Sequence, residues 1–222
     1  MRRTALLIIL MTTVLASGCS EDKSTGPDPS GYSDSEKAEI LARYAPRLWF
    51  RTDEAYFPSS VEWAYPYLKR VRIGGNYWLV TKSPIVGDYY LAGPNYEEVY
   101  EHSFFRGDLE TAVIYAFWVE KLIGPVGVGV AHVDLVYFIY YPYNKGKNCG
   151  GVRYENHVGD WEYMVVRLLW SEPDDPLQVA LSAHDFVGIY DWADIDKVEE
   201  THPVAHVAWG SHGIWKDEGD HH

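Results

Sequence analysis

Cysteine is nearly missing from this chain: Cys19 and Cys149 are the only two in 222 residues. No disulfide framework can carry the fold, so stability has to come from a packed core or a bound ion. Positive charge is scarce as well, with 19 Lys and Arg against 32 Asp and Glu and a formal charge of −13. That balance excludes nucleic acid as a partner and disfavours general adsorption to anionic lipid, while it is compatible with divalent cations. Helical periodicity fades beyond Trp63, internal repeats are absent, and no apolar run is long enough to span a bilayer comfortably. Neither Ser182 nor Ser211 sits in a Gly-x-Ser-x-Gly elbow, which argues against a serine hydrolase.

What is present begins with a leader. Arg2 and Arg3 precede the apolar run Ala5–Met11, and Val14-Leu15-Ala16-Ser17-Gly18-Cys19 supplies the small-residue exit of a secretory signal. The small residues before Cys19 resemble a bacterial lipobox, which predicts residues 1–18 as a lipoprotein-type signal peptide and Cys19 as a diacylated N-terminus. An ordinary thiol beside an ordinary cleavage site is the competing reading. Residues 19–33 then form a polar tether rich in Gly and Pro, and residues 34–222 a single domain. The expected location is the bacterial cell envelope, exported and lipid-anchored at the outer membrane or the periplasmic face, with the membrane as a partner through Cys19. Loss of Arg2 and Arg3 moves the formal charge from −13 to −15.

Ser33-Asp34-Ser35-Glu36 has the Ser-x-x-Glu pattern of a capping box, and Ile40, Leu41 and Tyr44 follow at helical spacing until Pro46. A one-turn helix is predicted after Pro58, with Ser59 as cap and Glu62 reaching back to it. Strands are predicted at Leu68–Ile73, Tyr77–Thr81, Thr111–Val119, Val133–Tyr143, Trp161–Trp170, Leu177–Ala183 and Val204–Trp209. The pair Gly74-Gly75 marks a hairpin, because tight turns need positive φ. Strands without long intervening helices predict an all-β fold with short N-terminal helices, a β-sandwich of antiparallel strands.

The segment Asn156-His157-Val158-Gly159-Asp160-Trp161-Glu162 carries the chemistry. Side chains alternate along a strand, so Asp160 and Glu162 share the inward face that continues as Met164, Val166 and Leu168. Two carboxylates ending a buried face are costly to desolvate unless a cation or a dense set of donors meets them, and His157 stands ready to join them. The competing reading is a hydrogen-bonded cluster closing the sandwich, paired with Arg47 or Arg167. His184 and His212 each follow a predicted strand, where the loops of a sandwich gather, and they either line one cleft with His157 or cap loop backbone.

Several phrases occur together: Tyr44-Ala45-Pro46-Arg47-Leu48-Trp49, Phe57-Pro58-Ser59-Ser60-Val61-Glu62-Trp63, Tyr140-Tyr141-Pro142-Tyr143-Asn144, His157-Val158-Gly159-Asp160-Trp161-Glu162 and Ala208-Trp209-Gly210-Ser211-His212-Gly213. In this order they resemble the vacuolar protein sorting-associated protein 62 family, which implies no established activity. Asn156–Glu162 is also distantly similar to the Gly-His-Arg-His-Asp-Trp-Glu motif of the necrosis-inducing-protein-like toxins. That resemblance implies a divalent ion held by His157, Asp160 and Glu162, with Asn144 as counterpart of a further Asp. Gly159 stands where the toxins have a second His, so the metal set is implied and the toxin activity is not.

Such a mixed but mainly hard donor set favours calcium, magnesium or manganese, with zinc or iron open through added histidines. The expected function is a lipid-anchored envelope β-sandwich that binds a divalent metal and a polar ligand, a glycan or lipid headgroup. Whether the protein is an enzyme stays open. A metal-dependent hydrolase would draw its catalytic groups from Glu162, His184 and His212, and a structural envelope lipoprotein would use the ion only to hold loops.

Overall fold

A computed structural model of the chain describes residues 31–82, 103–123, 130–149, 152–154, 156–183 and 186–219. The leader, Cys19, most of the tether and His184 lie outside the described residues.

The chain enters through helix α1, Asp34–Arg43, whose capping box is complete: Ser33 accepts from the Glu36 backbone while Glu36 reaches back to the Ser33 N–H. Ile40 and Leu41 are buried on its inner side. Strand β1, Arg47–Trp49, follows, and then the one-turn helix α2, Val61–Ala64. Ser60, not Ser59, caps α2 by accepting the Trp63 N–H at 3.1 Å. Ser59 is instead fully buried, its N–H donating to the Tyr140 carbonyl at 3.1 Å, and Glu62 turns outward to the Tyr115 hydroxyl at 3.0 Å. The sequence pattern could not distinguish two adjacent serines; the pull of Ser59 toward Tyr140 decides it.

Strands β2, Leu68–Ile73, and β3, Asn76–Thr81, pair antiparallel around Gly74 and Gly75, whose φ angles of 59° and 90° supply the predicted tight turn. A short helix α3, Ser103–Arg106, precedes the long strands β4, Ile114–Ile123, and β5, Val130–Asn144. A small ribbon of β6, Lys147–Cys149, and β7, Val152–Tyr154, leads to β8, His157–Leu169, β9, Glu172–Ala183, and β10, Phe186–Asp191. The last elements are β11, Lys197–Val198, β12, His202–Val207, and β13, Ile214–Trp215.

Two sheets form the sandwich. The larger has the order β10-β9-β8-β5-β4 and is antiparallel throughout. The smaller has β1-β12-β11 with β13 beside β12. Within it β1 runs parallel to β12, Arg47 opposite Val204 and Trp49 opposite His206, a pairing that joins the two ends of the domain. The core lies between the sheets: Leu48, Ala205, Val207 and Ile214 from one layer share a buried cluster with Leu135, Tyr137, Met164, Val166 and Leu181 from the other. Each large side chain buried this way contributes about 1.5–3 kcal/mol.

The alternation predicted for β8 holds over its whole length, with Val158, Asp160, Glu162, Met164, Val166 and Leu168 all buried. A second cluster, including Tyr56, Ala64, Phe104, Phe105, Tyr140, Tyr143 and Val158, packs the loops against the end of β5 and β8. Gly107 locks this end. Its φ is +69°, and a Cβ there would fall 1.8 Å from the Phe57 carbonyl oxygen, so only glycine lets α3 meet the Phe57 backbone.

Candidate functional site

The site is built where β5 ends and β8 begins. Register sets Tyr141 opposite Asp160, Ile139 opposite Glu162 and Asn144 opposite His157, so three of the four predicted metal residues, Asn144, His157 and Asp160, come together within a few steps of one ladder. Gly159, with φ +76°, redirects the chain between His157 and Asp160. Asp160 is only 7% exposed and Glu162 is buried beside it on the inner face, as the alternation requires.

Asp160 is held from one side. Its Oδ2 accepts from Asn144 Nδ2 at 3.3 Å and lies 3.1 Å from His212 Nδ1. On its other side, Oδ1 faces His157 Nε2 at 3.9 Å, too far for a hydrogen bond, and the His157 side chain is 43% exposed. Asn144 also accepts the Gly146 N–H on its Oδ1 at 2.6 Å, so it orients Asp160 with its amide nitrogen while its oxygen shapes the following turn. At Glu162, the Ser182 hydroxyl donates to Oε2 and accepts the Tyr163 N–H at 2.8 Å. Ser182 thus ties β8 to β9, with its proton committed to Glu162.

His212 is fully buried rather than lining an open cleft. Its turn is closed by the His212 N–H on the Ala208 carbonyl at 3.0 Å, and its own φ is +62°, a strained value for a residue with a Cβ. The imidazole stacks flat on the Tyr141 ring, 3.8 Å between centroids at 7°, while Nε2 faces the Tyr56 carbonyl at 3.2 Å. The two ring nitrogens are thus each placed against an oxygen, one of Asp160 and one of the Tyr56 backbone. Part of the compensation for Asp160 therefore comes from inside the chain.

Two participants were invisible in the sequence. Glu54 is buried, with Oε1 accepting from Ala55 N and Tyr56 N at 2.8 and 2.9 Å and Oε2 accepting from Gly210 N at 3.0 Å. It fastens the loop before Tyr56 to the turn that carries His212, yet in Arg51-Thr52-Asp53-Glu54 it reads as one more solvent-facing acid. Tyr141 reads as a core aromatic, but its buried hydroxyl has no hydrogen-bond partner among the described residues. Burial, followed by the nearby Glu162, Asp160 and Glu54 carboxylates, pushes this phenol well above its ordinary value.

The guanidinium groups considered as partners for the acids are engaged elsewhere. Arg47 faces Glu199 at 3.9 Å, and Arg167 makes a two-pronged bond to Asp134 at 2.7 and 3.0 Å. Burial opposes ionisation of Asp134, but Arg167 and Lys121 outweigh it and hold the carboxyl below its ordinary value. Among the described residues, no three His, Cys, Asp or Glu converge closely enough to hold an ion by themselves.

The fold and this edge define the class: a two-layer all-β sandwich with an acid–imidazole cluster buried at one end of its larger sheet. Over 143 residues, 58% of this chain, the sequence is 27% identical to vacuolar protein sorting-associated protein 62 of Saccharomyces cerevisiae. The match spans 28% of that relative's length. No family model matches the chain. Among solved structures, it resembles Necrosis and Ethylene inducing Protein 2 from the causal agent of cocoa's witches' broom disease, with a TM-score of 0.45 and 20% identity over 82% of this chain and 69% of that one. A structure described as a toxin fold for microbial attack and plant defense gives a TM-score of 0.47 at 17% identity, covering 86% of this chain and 71% of that one. The resemblance to vacuolar protein sorting-associated protein 62 drawn from the sequence phrases is therefore met.

Proposed function

We propose that this protein is a lipid-anchored envelope β-sandwich, tethered through Cys19, that binds a divalent cation at the Asp160–His157 edge and through it a polar, oxygen-rich ligand such as a glycan or a headgroup. One observation carries the reading: a buried carboxylate is satisfied on one oxygen only, and its second oxygen faces a half-exposed imidazole across 3.9 Å. Ligand–metal bonds of about 2.0–2.2 Å let one ion join two donors at that separation. Asp160 and His157 supply the two protein donors, and Asn144 holds Asp160 in place. Water or the ligand completes the shell, as hard cations permit. The Tyr141 hydroxyl, without a hydrogen-bond partner among the described residues, is a further polar group close to the acids.

Binding without chemistry is preferred over hydrolysis because Glu162 and His212, the two candidate catalytic groups among the described residues, are already engaged. Glu162 takes the Ser182 proton, and His212 is sealed between Tyr141, Asp160 and Tyr56.

The test is thermal unfolding after EDTA treatment, then with calcium, magnesium, manganese or zinc added singly. An ion at about a hundred times its dissociation constant adds roughly 2.7 kcal/mol, or several degrees in Tm for a domain of this size. Asp160→Asn is expected to abolish that increment. No increment with any ion, together with no metal by elemental analysis of untreated protein, would reject the reading.

A further inference from the structure

The β2–β3 hairpin departs from the rest of the molecule in charge. Residues 68–82 hold Lys69, Arg70, Arg72 and Lys82, four of the 19 basic residues, and none of the 32 acidic ones, in a chain whose formal charge is −13. Register places Arg70 opposite Leu79 and Arg72 opposite Tyr77, so these four side chains share one face. At the base of that face Leu68 and Thr81 are buried against the body, whereas toward the tip Tyr77 is 62% and Leu79 50% exposed and both arginines are exposed. The guanidinium groups of Arg70 and Arg72 lie over the Tyr77 ring at 4.6 and 5.8 Å, which holds the cationic and aromatic groups together as one patch.

We infer that this face is a docking surface for anionic phospholipid. The argument is charge complementarity at an exposed tip. Arginines can keep their charge among lipid phosphates while Tyr77 and Leu79 enter the boundary between headgroup and acyl chain. A planar anionic surface can be met by the tip alone. A nucleic acid would have to run on across a body of the same sign as itself, and it has no use for an exposed leucine. The inference does not depend on the proposed cation site: Leu79 reaches Gly159, 3.6 Å from where a Cβ would stand, but the hairpin supplies none of the site's donors.

Hydrogen exchange of the full chain, followed peptide by peptide, reads the hairpin separately from the leader. Vesicles of phosphatidylcholine containing about a third phosphatidylglycerol are expected to protect residues 69–82, vesicles of phosphatidylcholine alone are not, and about 0.5 M salt should remove the protection. In Arg70→Gln/Arg72→Gln the vesicle concentration for half-maximal protection should rise about thirtyfold, roughly fivefold for each arginine. Arg43→Gln/Arg51→Gln removes the same charge from other exposed positions and should leave the parent value unchanged. Equal protection by neutral vesicles, none by anionic ones, equal responses of the two double variants, or protection by a single-stranded oligonucleotide but not by vesicles would each overturn the inference.

Discussion

Two buried tyrosines, four residues apart on β5, should answer oppositely to loss of the same hydroxyl. Tyr137 and Tyr141 are both fully buried in the core between the sheets. The Tyr137 hydroxyl donates to the Leu41 carbonyl at 2.9 Å, whereas the Tyr141 hydroxyl has no partner among the described residues. Tyr137→Phe strands a buried carbonyl and should cost about 1–3 kcal/mol. Tyr141→Phe removes a polar group whose burial is uncompensated, keeps the ring stacked on His212, and should be neutral or stabilise by about 1–2 kcal/mol. At roughly 2–4 °C per kcal/mol for a domain this large, calorimetry resolves the opposite signs. Alkaline pH adds a second reading. Burial raises both phenols well above their ordinary value, so the unfolded chain loses those protons first, near pH 10, and stability falls as pH rises above that point. Each such phenol removes about 1 kcal/mol between pH 10 and 11, and each Phe variant should remove one such share of the slope. Equal losses for the two variants at neutral pH would show the hydrogen-bond accounting around Tyr141 to be wrong.

Asp134→Asn should cost about 2 kcal/mol near neutral pH, a value kept modest because Lys121 and Arg167 are partly exposed. Because the folded-state carboxyl is held low, that stabilisation is present above the unfolded value near 4 and is lost as pH falls through the folded one; denaturant midpoints for wild type and variant should converge in acid. Gly107→Ala drives a Cβ into the Phe57 carbonyl at 1.8 Å and should cost several kcal/mol or abolish soluble expression. Gly74→Ala, with open space around it, should cost only about 1 kcal/mol in thermal unfolding.

The sheet that carries the site was legible because alternation is a local signal: Asp160, Glu162, Met164, Val166 and Leu168 could be assigned to one buried face from spacing alone. The capping box at Ser33 and the turn at Gly74-Gly75 were readable for the same reason. Of the smaller sheet only β12 was, as the strand predicted at Val204–Trp209. Arg47–Trp49 is too short to show a period, and its parallel partner lies at the far end of the chain, so nothing local announces the pairing. At the site, the sequence yielded Asp160, Glu162, His157, Asn144 and His212 but not that Asn144 and His212 are what hold Asp160. Glu54 looks solvent-facing until Gly210 N–H is found on it, and His212 gives no sign that it lies under Tyr141. The choice between Ser59 and Ser60 as cap turned on a contact with Tyr140, about eighty residues away in the sequence.

The seam between the first and last strands has a consequence for how the protein is made. His202 leans on the Ala45 carbonyl across 157 residues of chain, and β1 has no ladder partner until β12 has been synthesised. The larger sheet, joined by neighbours in sequence, can assemble early, but one wall of the core has to wait for the final strands. Until β12 emerges to meet β1, the side of the core that they cover stays open, so closure of the sandwich falls late in folding.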